Sequence, residues 1–461
     1  MRSTLQFTST LERWPASALN LYAMAAAFTT YFSMYAFRKP FSAATFQGLY
    51  VAGSEVELKT AFVVSQIIGY AASKFLGIKF CTEASRAARP WMLVGLVGAA
   101  ELALVLFAVL PNDWKILGIF LNGLPLGMVW GLVVRYLEGR RTSDILLAAL
   151  ACSFIVSSGV VKDVARALMA GDSIRIFGIP LFNPFPSISE FWMPAATGLV
   201  FAPIFVTAVF FLNQLPEPSG ADARERTERE PMDVSRRWAF LLQYLPGICA
   251  LISAYVFLTA YRDFRDNYMV ELLDQLGYRY ENHRDLMSRM ELGVACSVML
   301  SIAMLFWVKD NRRGLFAVCG AIASGTALIG VATLLLQNQM ISGMWWMALI
   351  GFGSYLAYVP YNTVLFDRLM ASTRFVGTAV FGMYLADSAG YSGSVVVQLG
   401  KDIFVGELSR LEFMQKLSLF VSLFATLSVV AGWLYFALRP AIQENRAGVN
   451  FSTEPAANYT E

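Results

Sequence analysis

Residues 17–37 read Ser-Ala-Leu-Asn-Leu-Tyr-Ala-Met-Ala-Ala-Ala-Phe-Thr-Thr-Tyr-Phe-Ser-Met-Tyr-Ala-Phe, and Arg38-Lys39-Pro40 follow. A run of about twenty residues with no charged side chain is what an α-helix needs to cross a hydrocarbon layer about 30 Å thick. About twelve segments of this kind occupy 18–40, 58–80, 91–110, 114–137, 145–168, 191–213, 239–262, 290–308, 314–336, 343–366, 374–399 and 413–438. Composition agrees. Hydrophobic residues make up 57% of the 461 and charged residues 15%, where a soluble domain keeps about a quarter charged. The mean hydropathy is +0.53. No strand-type alternation persists, so the chain reads as an all-α membrane protein, a bundle of twelve transmembrane helices rather than a barrel.

The end of the first run returns in the seventh. Tyr31-Phe-Ser-Met-Tyr-Ala-Phe37-Arg38 is matched by Tyr255-Val-Phe-Leu-Thr-Ala-Tyr261-Arg262, each with a tyrosine seven positions before an arginine and an aromatic directly before it. Weaker echoes follow in the same order. Leu137-Glu138-Gly139-Arg140 pairs with Leu365-Phe366-Asp367-Arg368, and Ser157-Ser158-Gly159 with Ser388-Ala389-Gly390. This is the pattern of two pseudo-symmetric six-helix halves. The boundaries expected are 1–214 for the first half, 215–237 for a polar linker, 238–440 for the second half and 441–461 for a disordered tail. Pro216-Glu-Pro218-Ser-Gly220 and the alternating charges after it mark the linker.

Loop lysines and arginines set the orientation. About nineteen fall on the side of the termini and about ten on the other, so both termini are expected in the cytoplasm and the protein in the inner membrane of the cell. The first run is too long for a signal peptide and ends in Arg38-Lys39-Pro40, so it is expected to stay in the mature chain. A second polar stretch, Arg265–Arg289, is placed outside, with a short interfacial helix over Asp266–Leu276 and the only histidine, His283, as a plain loop residue. Trp91 and the pair Trp345-Trp346 read as interfacial belt residues.

Several function classes drop out. The five cysteines (Cys81, Cys152, Cys249, Cys296, Cys319) have no paired or metal-ligand spacing, so no metal site is expected. No nucleophile elbow, zinc-protease or phosphate-loop motif is present, so neither an enzyme nor a cofactor is expected. No dense basic stripe serves nucleic acid. The partners expected are the lipid bilayer and a small solute, with the chain a monomer.

The ionisable residues away from helix ends carry the functional argument, because intramembrane charges face cavities or substrate paths. Arg38, Arg262 and Lys74 are candidates for a solute anion, since guanidinium presents a planar fork of donors to phosphate or carboxylate oxygens. Tyr31, Tyr35 and Tyr255 share their helices and could add hydroxyl contacts, helix packing being the alternative. Asp387 and Glu101 are candidates for binding a coupling proton, or for a polar contact between helices. Lys39 is a weaker candidate. Lys162, Asp163 and Arg166 read as the outer end of the fifth helix.

These segments resemble the major facilitator superfamily, and within it the organophosphate:phosphate antiporters. The resemblance lies in Tyr31–Phe41, in Ser73-Lys74-Phe75-Leu76-Gly77, in Leu121-Asn-Gly-Leu-Pro-Leu-Gly127-Met128-Val-Trp130, and in Val256-Phe257 leading to Arg262. It implies that Arg38 and Arg262 clamp a phosphate between the halves, with Lys74 assisting. The chain departs from that family in lacking a histidine near Cys152–Phe154 and in setting Asp263 and Asp266 beside Arg262. Its loop between the second and third helices is reduced to Gly77, Glu83, Arg86 and Arg89. It also resembles an uncharacterised branch of the superfamily, for which no solute is implied. The function expected is alternating-access transport of a small anionic solute, a phosphorylated one as the resemblance implies. A proton-coupled symporter using Asp387 or Glu101, and a transporter-shaped receptor, are the alternatives.

Overall fold

The computed structural model describes residues 2–140, 142–182, 186–218, 234–305, 307–373 and 379–438. Twelve helices of 19 to 34 residues are α1 (Ala16–Met34), α2 (Leu58–Glu83), α3 (Arg89–Val109), α4 (Asn112–Leu137), α5 (Ser143–Ala170), α6 (Met193–Asn213), α7 (Val234–Asn267), α8 (Leu286–Leu305), α9 (Asn311–Gln337), α10 (Gly343–Thr363), α11 (Ala379–Phe404) and α12 (Arg410–Leu438). Each falls on one of the expected segments. A short helix, Arg2–Leu11, precedes them, and an antiparallel hairpin, β1 (Ile174–Ile176) with β2 (Ile179–Phe182), follows α5. Of the described residues, eight helices contain a window apolar enough to span a membrane. The other four are α1, α2, α10 and α11. Three of them carry the polar and aromatic side chains described below, and the fourth leads directly into Arg38.

Helix ends follow from local chemistry. Pro15 and Pro111 precede α1 and α4, where a missing N–H costs nothing. Asp310 caps α9 by accepting from the Arg313 amide at 2.7 Å. Gly171 closes α5 in the left-handed region, φ 70°. α7 is kinked at Tyr244, two residues before Pro246, whose ring cannot be accommodated in a regular turn.

The packing repeats with a shift of six helices. α1 lies on α5 and α6 as α7 lies on α11 and α12; α2 and α3 lie on α4 as α8 and α9 lie on α10. Across the halves α5 meets α8, and the same shift takes that pair to α11 meeting α2. This is a major facilitator fold, two six-helix halves related by pseudo-symmetry. Small residues let the backbones approach. A Cβ at Gly123 would stand 2.6 Å from the Gln66 carbonyl oxygen, and one at Gly325 2.6 Å from that of Gly353.

The structure moves several expected loop residues inward. α7 runs five residues beyond the expected 262, so Arg265, Asp266 and Asn267 are helical and buried. Arg265 is bound to Glu291 of α8 at 2.7 Å and to the Met347 carbonyl at 2.9 Å. The expected interfacial helix is Met269–Gln275, and it turns Met269, Val270, Leu272 and Leu273 into the protein. Trp91 and Trp345 are exposed, as belt residues are, whereas Trp346 is fully buried and donates to the Thr333 hydroxyl at 3.0 Å. His283 is exposed beside the Tyr278 ring. Cys152, Cys249, Cys296 and Cys319 are unbridged. Of the expected linker, residues 219–233 lie outside the described residues and Val234 already begins α7; the expected tail, 441–461, lies outside them entirely.

Candidate functional site

Pro40 ends the first helix. The chain passes through a 3-10 turn at Tyr35–Phe37 and another at Pro40–Ala43, with Arg38 between them at φ −107°, ψ −48°. The carbonyls released at this break are taken by buried amides from the same half. Gln66 donates to the Arg38 carbonyl at 2.7 Å and Asn122 to that of Phe37 at 2.8 Å, and Gln66 also donates to Asn122 Oδ1 at 2.8 Å. A buried backbone acceptor needs such a partner. Gln66 and Asn122 thereby fix where Arg38 sits.

From Arg38 a closed ring of cations and aromatics runs through both halves. The Arg38 guanidinium lies 3.9 Å over the Tyr70 ring, and Lys74, one turn further along α2, is 5.6 Å from the same ring. Lys74 is ion-paired with Asp387 of α11. Asp387 accepts from the Tyr255 hydroxyl at 2.6 Å, and Tyr255 stacks on Tyr358 at 5.3 Å. The Arg262 guanidinium covers Tyr358 at 3.9 Å and approaches Phe154 of α5 at 6.0 Å. Phe154 stacks on Tyr35 at 6.5 Å, and Tyr35 returns to Arg38 through a hydroxyl 3.5 Å from Nη1. The side chains of Lys74, Asp387 and Arg262 keep 18%, 12% and 12% of their surface accessible. Groups this central that still reach solvent border an internal crevice.

The charges in the ring are unevenly matched. Arg262 is paired with Asp263 at 2.6 Å, and Asp263 also accepts from Ser394 of α11 at 2.9 Å. Lys74 has Asp387. Arg38 is 9% exposed, its Nε is buried without a partner, and no described carboxylate lies within 4.0 Å of it. Burial of an unpaired charge is costly, so Arg38 is the member of the ring whose charge is least well compensated.

Above the ring, on the face opposite the linker, the halves are fastened together. Asp266 takes Lys39 on one oxygen and Lys162 on the other, both at 2.6 Å. Lys39 also donates to Asn267 and Lys162 to Ser158, each at 2.7 Å. Lys162 is fully buried, so its reading as a helix-end charge is corrected: it faces the partner half. Asp163 is buried as well and accepts from the Ser288 amide at 2.7 Å. Lys59, in the first turn of α2, is fully buried against Glu271. Arg410 meets Glu57, and Thr60 shares a 2.8 Å hydrogen bond with Tyr268. Arg166 lies 3.5 Å from Asp274. Burial raises the Asp274 carboxyl above its ordinary value, with Arg166 opposing. A cavity of about 470 Å³ on this face is lined from both halves by Tyr50, Glu55, Glu57, Lys401 and Asp402.

Of the residues singled out from sequence, Arg38, Arg262, Lys74, Asp387, Tyr35 and Tyr255 meet in the ring. Tyr31 lies one layer behind it, 4.9 Å from Trp130 and 5.6 Å from Tyr35. Glu101 is not brought there. It packs against Gly198 of α6, and neither carboxylate oxygen has a described partner. Sequence reading passed over Tyr70, Phe154, Tyr358 and Tyr391. A signal existed for two: Tyr70 stands four before Lys74 and Tyr391 four after Asp387, one helical turn from each charge. The rings of Tyr70 and Tyr391 touch across the halves at 5.7 Å.

Residues 40–439 match the model of a family of unknown function, DUF5690, and the chain belongs to that family. No curated protein matches it in sequence. Among solved structures it is similar to the nucleoside transporter NupG, at 14% identity and TM-score 0.57, with 91% of this chain and 98% of that one covered. It is similar to a D-xylose-proton symporter at 13% identity and TM-score 0.54, covering 88% and 96%. A third likeness is to a bacterial homolog of the human lysosomal transporter Spinster, at 11% identity and TM-score 0.57, covering 92% and 98%. These likenesses bear on the fold.

Proposed function

From a fold shared with transporters, we propose that this chain is a secondary active transporter carrying a small anionic solute by alternating access. The observation that carries the reading is Arg38, a buried guanidinium with no described carboxylate beside it, standing where the two halves meet. Its charge is stabilised by the Tyr35 and Tyr70 rings and by the Tyr35 hydroxyl. A bound anion supplies the missing partner, and the loaded protein then closes more readily than the empty one. Arg262, at the equivalent place in the other half, borders the same crevice and is released to the solute only as far as Asp263 yields. Lys74 and Asp387 close the crevice from α2 and α11. The fastened face opposite the linker represents one of the two states through which such a protein cycles.

Tyr35 and Tyr70 shape the pocket around Arg38, Tyr255 holds Asp387 within the ring, and Tyr31 acts from behind as a positioning residue. Asp387 is the better coupling group of the two sequence candidates, because it lies in the ring and bonds both halves, while Glu101 lies outside it. The charge asymmetry of the loops supports termini in the cytoplasm and residence in the inner membrane, and a monomer suffices, since both halves of the site come from one chain.

The test is uptake into vesicles containing the purified protein. Arg38→Lys keeps the charge but loses the planar fork, and is expected to lower uptake at least about tenfold. Unchanged uptake of a confirmed solute by both Arg38→Lys and Arg262→Lys refutes the reading.

A further inference from the structure

We infer that the solute is a ring-shaped monocarboxylate, with one negative charge on a flat body, rather than a doubly charged phosphate ester. The inference rests on the transport reading for its purpose, and on charge and shape for its content. In the ring three cations, Arg38, Lys74 and Arg262, face two carboxylates, Asp387 and Asp263. One positive charge is left, and it belongs to Arg38. The lysines above are committed to the fastened face: Lys39 and Lys162 share Asp266, leave one positive charge there, and are further held by Asn267 and Ser158. A carboxylate therefore brings the ring itself to neutrality, the state that a low-dielectric interior tolerates best. A dianion leaves an excess negative charge in the ring.

Shape points the same way. The faces beside Arg38 and Arg262 are aromatic: Tyr35 stacked on Phe154, Tyr358 under Arg262, and Tyr70 against Tyr391. Flat rings stack on such faces, and the tyrosine hydroxyls leave donors and acceptors for ring substituents. Guanidinium matches a carboxylate with two parallel hydrogen bonds, and the buried Nε of Arg38 is one donor still unclaimed. Both an aromatic acid and a cyclic sugar acid present this chemistry.

The experiment is calorimetric titration of the full-length protein in detergent with four probes: a benzoate-type acid, a cyclic sugar acid, a hexose phosphate and a neutral nucleoside. One of the two ring acids is expected to bind, and at least about tenfold more weakly to Arg38→Gln, as loss of a hydrogen bond to a charged group requires. Which acid responds separates the two sources. Asp263→Asn frees Arg262 and raises the site charge by one, so it is expected to shift preference toward the hexose phosphate, a gain that a misfolded variant cannot show. Tighter binding of the phosphate or the nucleoside by the unaltered protein overturns the inference, and so does the absence of binding by either acid. Counterflow in proteoliposomes keeps the two readings apart. Binding of a ring acid without flux refutes transport and leaves the solute class standing, whereas flux of the hexose phosphate does the reverse.

Discussion

Asp266 is held by two ammonium groups from the opposite half, and its value lies in serving both. Removing one partner of a buried ion pair costs about 3–5 kcal/mol, and Asp266→Asn leaves two lysines facing each other. The thermal midpoint of that variant in detergent is expected to fall by more than for any other conservative change on the same face. Asp274 makes the contrast. Burial already raises its carboxyl, so the ionised form is disfavoured in the folded protein, and its contribution to stability falls as pH rises. Asp274→Asn should therefore leave the midpoint at neutral pH unchanged or slightly raised, and a clear drop would count against this account. Trp346→Phe removes one buried hydrogen bond and should cost about 1 kcal/mol. What sequence hid at this scale was pairing. Lys59, Lys162 and Arg265 look like helix-end or loop charges because their acids lie in other helices, and nothing local marks a buried lysine as satisfied.

Helices were the most legible feature, because span length and hydropathy are local properties of the chain. The end of α7 was the exception. Arg262, Asp263, Arg265 and Asp266 come as a cluster that reads as the start of a loop, yet each is turned toward a protein partner and the helix runs on. Close approach of helices gives a second test at this scale. Gly123 meets the backbone of α2, whereas Gly95 and Gly98 of α3 have open space where a Cβ would stand. Gly123→Val is expected to lower the thermal midpoint by several degrees, while Gly95→Ala and Gly98→Ala leave it within about a degree, since exposed helix positions gain only about 1 kcal/mol from alanine. Equal effects at the three positions would refute the packing argument.

For the whole molecule, the duplication was visible in two arginines, and the structure extends it to a packing order repeating every six helices. The candidate site was half visible. Charged groups inside apolar spans announce themselves, and Arg38, Lys74, Arg262 and Asp387 were found that way. The aromatic walls were not, since tyrosines and phenylalanines are common throughout a bundle and only their meeting across the halves distinguishes them. Motion between the halves can be tested on α5 and α8. With native cysteines replaced, Asp163→Cys and Ser288→Cys place two thiols where a carboxylate now meets a backbone amide. Oxidation is expected to stop uptake and reductant to restore it. Full uptake by the oxidised, cross-linked protein would exclude separation of these helices during the cycle.

The fastening of that face is spread over α2, α5, α7 and α12 and the segments beside them, with no single bolt. Any one bond can break while its neighbours hold the partners in register for it to reform. That face therefore yields cooperatively, like a zip that must part along its whole length before the halves separate. Single substitutions along it should raise the frequency of opening by modest factors, and pairs of them by more than the product.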